Sequence, residues 1–177
     1  MEFASTSNSG DEPAAGKSVH VFVDHSNIAI GATKSTGKQL DIDRLVRCVE
    51  RRRNIKERKI VGSLESERTK AAWQQLGYTV SADKRGGKER FVDDTLHAQI
   101  LETAGKIFDP RRVLAVVTGD GNDNEGRTTF PKCVDSALKN GCRVEVYSWR
   151  QGRHHVYNDL AKHYPGHVSV HVLDDVY

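Results

Sequence analysis

The sequence predicts an α/β protein with a mainly parallel central sheet and helices on both faces. Two observations carry this. Short β-forming runs alternate with helix-length segments from Val19 to the end of the chain. One run, Val113–Thr118, is apolar almost throughout, as a strand covered on both faces requires.

Each element has its own signature. Val19–Val23 is strongly β-forming and ends at Asp24. Asp41–Arg53 reads as a helix with Leu45, Val46 and Val49 on one face. Lys59–Leu64 reads as a short strand. Ser66–Leu76 is a helix stopped by Gly77, and Tyr78–Val80 a strand. Val92–Phe108 is a long helix with Val92, Leu96, Ile100 and Ala104 along one side. Thr129–Asn140 is a helix with Pro131 in its first turn and Gly141 beyond its end. Arg143–Trp149 alternates as a strand, Asn158–Tyr164 is a short helix, and Val168–Leu173 is the last strand. Residues 1–17, mostly small and polar, read as a flexible tail ahead of a single domain, 18–177.

Composition narrows the class. Hydrophobic residues make up 37% and charged residues 29%, which excludes a collagen-like or wholly disordered chain. The mean hydropathy is −0.61 and the longest apolar run is Val113–Val117, so neither a membrane-crossing helix nor a secretory leader is expected. Cys48, Cys133 and Cys142 are far apart and form no metal-type pair. They read as reduced thiols of an intracellular protein, cytoplasmic or nuclear. A net charge of +3 identifies no partner by itself, and its distribution matters more. Basic residues gather in Arg44–Lys59 and again at Lys84, Arg85, Lys88 and Arg90. Either stretch alone reads equally as a solvated face, and the first also as a nuclear address.

In an open parallel sheet, ligands bind beyond the carboxyl ends of the strands. Acidic residues cluster where the sequence places those ends. Asp24 closes the first strand, Asp93-Asp94 opens the long helix, and Asp120, Asn122 and Asp123 follow the strand ending at Thr118. Each has a local alternative, as an Asx-turn, a helix N-cap or a turn residue. Carboxylates that converge repel one another unless a cation lies between them. Oxygen donors without Cys or clustered His select Mg²⁺ or Mn²⁺ over Zn²⁺. Competing signatures are missing: there is no P-loop, no glycine-rich dinucleotide fingerprint and no nucleophile elbow.

Over residues 18–177 the chain resembles the NYN domains of the PIN-like nuclease superfamily. Val21-Phe22-Val23-Asp24-His25-Ser26-Asn27 is similar to that family's first motif, a hydrophobic strand ending in Asp-x-x-Asn. Phe91-Val92-Asp93-Asp94-Thr95-Leu96 is similar to its second, and Thr118-Gly119-Asp120 to its third. The stretch from Thr118 through Asn124 to Phe130-Pro131 resembles a eukaryotic subgroup with a lengthened loop. The resemblance implies a PIN-like, Rossmann-like three-layer sandwich and an Mg²⁺- or Mn²⁺-dependent ribonuclease. It assigns Asp24, Asp93 and Asp120 as carboxylate ligands and Asn27 as a polar member of the site. The family's third motif usually carries a second Asp two residues on. Here Asn122 stands at that spacing and Asp123 follows, so either is a candidate fourth ligand, and Asp94 competes with Asp93.

The implied substrate is single-stranded RNA. Lys84, Arg85, Lys88 and Arg90, in a loop loosened by Gly86 and Gly87, are expected phosphate contacts. Arg127, Arg150, Arg153, His154 and His155 follow later strand ends and come second. Trp149 has two readings, stacking on a base or packing against a helix at the rim. His25 has two as well, donating to a phosphate or capping a turn. The alternative to an enzyme is a catalytically weak NYN-type module that binds RNA without cutting. PIN-like domains often pair, which leaves a homodimer open.

Overall fold

The computed structural model describes residues 16–64, 66–81, 90–106, 109–118, 129–152 and 155–177, with the side chains at 90–93 outside that description. Among the described residues, six strands form one all-parallel sheet. They are β1 (Ser18–Asp24), β2 (Ile55–Val61), β3 (Thr79–Ser81), β4 (Arg112–Val117), β5 (Arg143–Ser148) and β6 (Val168–Val172). Their order is β3-β2-β1-β4-β5-β6, that of a doubly wound sheet.

The helices are α1 (His25–Thr36), α2 (Ile42–Glu50), α3 (Glu67–Gln75), α4 (Arg90–Gly105), α5 (Phe130–Lys139), α6 (Val156–His163) and the single turn α7 (Leu173–Val176). Two cores show how they are layered. Ile28 and Ala32 of α1, Leu45 and Val49 of α2, Trp73 of α3 and Leu173 of α7 pack with Val19, Val21, Val23 and Ile60 on one face. On the other face, Leu96 and Ile100 of α4, Val134 and Ala137 of α5 and Tyr157 of α6 pack with Phe22, Leu114, Val116 and Val146. All six residues of β4 are buried, as its apolar run anticipates.

Several boundaries differ from the sequence reading, each for a local reason. Helix α1 was not read as a helix at all. Its N-cap is Asp24, and Ile28 and Ala32 supply only a thin apolar stripe among Ser, Thr and Gly. Helix α2 stops at Glu50, not Arg53, because Arg51 and Arg52 turn into the left-handed region with φ of 47° and 57°. Strand β2 begins at Ile55 and ends at Val61, earlier than Lys59–Leu64. Its charges hid it: Glu57 binds His20, Lys59 and Thr103, and Arg58 forks onto Glu50. Helix α4 starts two residues earlier than read and ends at Gly105, and Leu173 belongs to α7 rather than to the last strand.

The two faces are locked by specific contacts. Trp149, at the end of β5, is 1% exposed and donates Nε1–H to the Ile28 carbonyl at 2.9 Å. Its ring lies so close to α1 that a Cβ on Gly31 would sit 2.1 Å from Trp149 Cδ1. Near the opposite end of the sheet, Glu57 accepts from Lys59 Nζ at 2.7 Å, Thr103 Oγ1 at 2.9 Å and the neutral His20 Nδ1–H at 3.0 Å. Arg112 reaches the last turn of α4, donating to the carbonyls of Thr103 at 3.1 Å and Lys106 at 3.3 Å. The free cysteines are in accord with the reading of reduced thiols, Cys133 and Cys142 buried and Cys48 half-buried. Among the described residues, no helix is long and apolar enough to cross a membrane.

Gly31→Ala should gain about 1 kcal/mol of helix propensity but lose more to the collision with Trp149. A net destabilisation of about 1–3 kcal/mol is expected, read as a lower midpoint in urea with unchanged slope. Glu57 yields a pH prediction. Burial opposes its charge, yet hydrogen bonds from Lys59, His20 and Thr103 outweigh burial and hold its carboxyl at about 2. A carboxylate lowered in the folded state stabilises above its unfolded pKa and loses that contribution as pH falls through the folded one. The wild type should therefore lose up to about 3 kcal/mol between pH 4.5 and 2 through this group. Glu57→Gln should flatten that acid limb in denaturation measured across the same range.

Candidate active site at the carboxyl edge of the sheet

The chain leaves β1 through α1 on one face and leaves β4 toward α5 on the other. These neighbouring strands therefore open a crevice at their carboxyl ends, the switch point of a doubly wound sheet. Asp24 is the last residue of β1, and Thr118 follows the last residue of β4.

Asp24 is 1% exposed, an unusual place for a carboxylate. It caps α1, accepting the Asn27 backbone N–H at 3.2 Å on Oδ1. The Asn27 side-chain amide donates to Oδ2 at 2.5 Å, and the Thr118 hydroxyl donates to the same oxygen at 3.4 Å. The helix N-terminus and both side chains present donors to the carboxylate and so fix its orientation. The Asp-x-x-Asn spacing thus has a structural logic: the residue three beyond an N-cap presents both its N–H and its side chain to the cap.

The next residues brace this corner. Ser26 Oγ accepts the Ser63 N–H at 3.0 Å, tying α1 to the chain just after β2. Gly62 passes so close that a Cβ there would lie 2.9 Å from His25 Cβ. His25 turns to the other face, where its ring meets Trp73 edge-on at 6.0 Å. Burial alone pushes its imidazole down to about 4, so it is neutral at pH 7.

Helix α4 follows β3 and so starts at the same edge. Asp93 is the fourth residue of α4 and Asp94 the fifth, so neither is the N-cap the sequence suggested. Position 93 falls one turn before buried Leu96, whereas Asp94 is exposed. Asp120, Asn122, Asp123 and Arg127 lie outside the described residues, as do Lys84, Arg85, Lys88, Arg153 and His154. Arg90 is in the first turn of α4, with its side chain outside the description. Among the described residues, no three His, Cys, Asp or Glu side chains gather to hold a metal. What is described of the site, the Asp24 carboxylate with amide and hydroxyl neighbours and the neutral imidazole turned away, is a hard-oxygen environment. It fits Mg²⁺ or Mn²⁺ better than a soft or nitrogen-seeking ion.

Two readings of exposed binders change. Trp149 is buried against α1 and Tyr177, so it cannot stack on a base. Arg150 is exposed, but its guanidinium is engaged by Asp175 and its backbone N–H by Asp174 at 2.7 Å. His155 is exposed at the start of α6. In the first basic stretch, Arg53 forks onto Glu145 and Arg58 onto Glu50, and the Lys59 ammonium pairs with Glu57. Much of that stretch therefore serves the fold. Sequence reasoning did not single out Thr118, which the β1–β4 register places beside Asp24.

Fold and edge together define an α/β domain with a doubly wound parallel sheet, consistent with a PIN-like sandwich. The chain belongs to the NYN domain family, which matches residues 18–164. Members of that family are generally nucleases, and PIN-like nucleases usually use divalent metals. Among solved structures, a protein of unknown function from Vibrio parahaemolyticus shares the fold with a TM-score of 0.68. The two are 14% identical over 91% of this chain and 95% of that one, a likeness that speaks to the fold alone. No curated protein matches this sequence.

Asn27→Ala removes a donor from a buried carboxylate and should destabilise by about 1–3 kcal/mol. Asn27→Asp, which sets a second carboxylate against Asp24, should cost more still. Chemical denaturation of both variants at pH 7 and low salt checks the order.

Proposed function

We propose that the protein is a divalent-metal-dependent ribonuclease that hydrolyses phosphodiester bonds of single-stranded RNA. The observation that carries this is the carboxylate of Asp24, buried at the switch point and held by donors from Asn27 and Thr118. A neutral Asn or Ser would cap α1 as well without the cost of burying a carboxylate.

Asp24, Asp93 and Asp120 are the ligands in this reading, with Asn122 or Asp123 completing the set. The position of 93 one turn before Leu96 supports Asp93 over exposed Asp94. When bound, Mg²⁺ or Mn²⁺ supplies an activated water and neutralises charge building on the phosphate. The chain does the rest. Asn27 and Thr118 keep Asp24 aimed, and the carboxylates without their cation repel the RNA backbone. Lys84, Arg85, Lys88, Arg90, Arg127 and Arg153 hold the flanking phosphates, and Arg150 joins them when it leaves Asp175. Binding should weaken steeply with salt as those contacts release counterions.

Asn122 favours one second reading, an RNA-binding module with a weakened metal site. A single experiment separates the two. End-labelled single-stranded RNA is incubated with the protein in Mn²⁺, in Mg²⁺ and in chelator, beside Asp24→Asn. A nuclease gives metal-dependent cuts that fall at least about 10²-fold in the variant while RNA affinity stays near wild type. RNA retained without cuts in any metal would leave the binding module.

A further inference from the structure

The sheet register extends the site one strand beyond the acidic residues. Val23 pairs with Val117 and Val117 with Tyr147, and the Thr118 N–H bonds the Tyr147 carbonyl at 3.0 Å. One step further along all three strands come Asp24, Thr118 and Ser148, side by side. Strand alternation puts them on one face: each stands two residues beyond Phe22, Val116 or Val146, which share a core with α4 and α5. Ser148 is 0% exposed, and its hydroxyl has no hydrogen-bond partner in the protein. A buried hydroxyl left unpaired is unfavourable, and a core at this position would accept Ala or Val without that cost.

We infer that Ser148 is a positioning residue of the site, acting on Asp24 through Thr118. Neighbouring parallel strands lie about 4.8 Å apart, which suits one bridging water between two in-register hydroxyls. The Thr118 hydroxyl donates toward Asp24 Oδ2 at 3.4 Å. A hydroxyl that donates can still accept, so a proton from the Ser148 side fixes the rotor of Thr118 toward the carboxylate. Asp24 then receives Asn27 from one side and a pre-aimed hydroxyl from the other. Neither Ser148 nor the water touches RNA in this arrangement. The role rests on the ribonuclease reading only in its consequence for the metal.

The test uses Ser148→Ala, Thr118→Val and the double variant of the full chain. Two readouts are taken without RNA: thermal unfolding of the metal-free protein, and Mn²⁺ binding by calorimetry. If Ser148 works through Thr118, the double variant loses less Tm than the two single losses added. Additive losses overturn the inference. In Mn²⁺ binding, Ser148→Ala should weaken affinity about 10–100-fold, as loss of an outer partner does. Unchanged affinity beside a wild type that binds Mn²⁺ also overturns it. A wild type that binds no Mn²⁺ sinks the metal reading, and the additivity of the unfolding losses then decides the role of Ser148 alone.

Discussion

The rest of the structure is organised around one buried carboxylate. Asp24 sits where β1 becomes α1, and a charge at 1% exposure survives only if donors surround it. Each donor fixes a different piece of the fold. The Asn27 backbone N–H sets the start of α1, its side chain sets the rotation of the first turn, and Thr118 ties β1 to β4. A one-residue slip of β4 would turn Thr118 to the opposite face and strip Asp24 of that partner. The polar site and the sheet register therefore constrain each other.

Tight packing follows from that corner. Because α1 must begin at Asp24, it is pressed against both the end of β5 and the end of β2. Gly31 makes room for the Trp149 ring on one side, and Gly62 makes room for His25 on the other. Trp149 then becomes part of the core rather than of the binding surface, and Tyr177 closes over it edge-on at 5.0 Å. The C-terminal turn is held by the same contacts, with the Tyr177 hydroxyl accepting the Asp41 N–H at 2.7 Å. Asp174 and Asp175 thereby come to rest beside Arg150.

Where the sequence was legible, burial was complete or the end signals were local. Strand β4 is covered on both faces and reads as an apolar run, while α3 and α5 carry Ser66 and Thr129 caps that accept from Thr69 and Lys132. Strand β2 was misplaced because its charges are satisfied by side chains distant in sequence, and periodicity sees none of them. Helix α1 was hidden for the opposite reason. Its strongest signal, an acidic N-cap with Asn three residues on, was absorbed into the reading of a site. Asp24 and Asn27 were legible as a pair because capping demands the spacing that the site reading also used. Thr118 and Ser148 were not, since only the pairing of β1, β4 and β5 brings them into one row.

The same junction also separates two chemically different neighbours. Asp24 and His25 are consecutive, yet the turn from strand to helix sends them to opposite faces. His25 meets Trp73 in the apolar layer, and burial holds its imidazole neutral with no hydrogen-bond partner for Nδ1. A neutral ring in that layer adds no positive charge beside the carboxylate. One junction thus keeps two layers chemically distinct, with an uncharged ring on the Trp73 side and the polar group of Asp24, Asn27 and Thr118 at the strand ends.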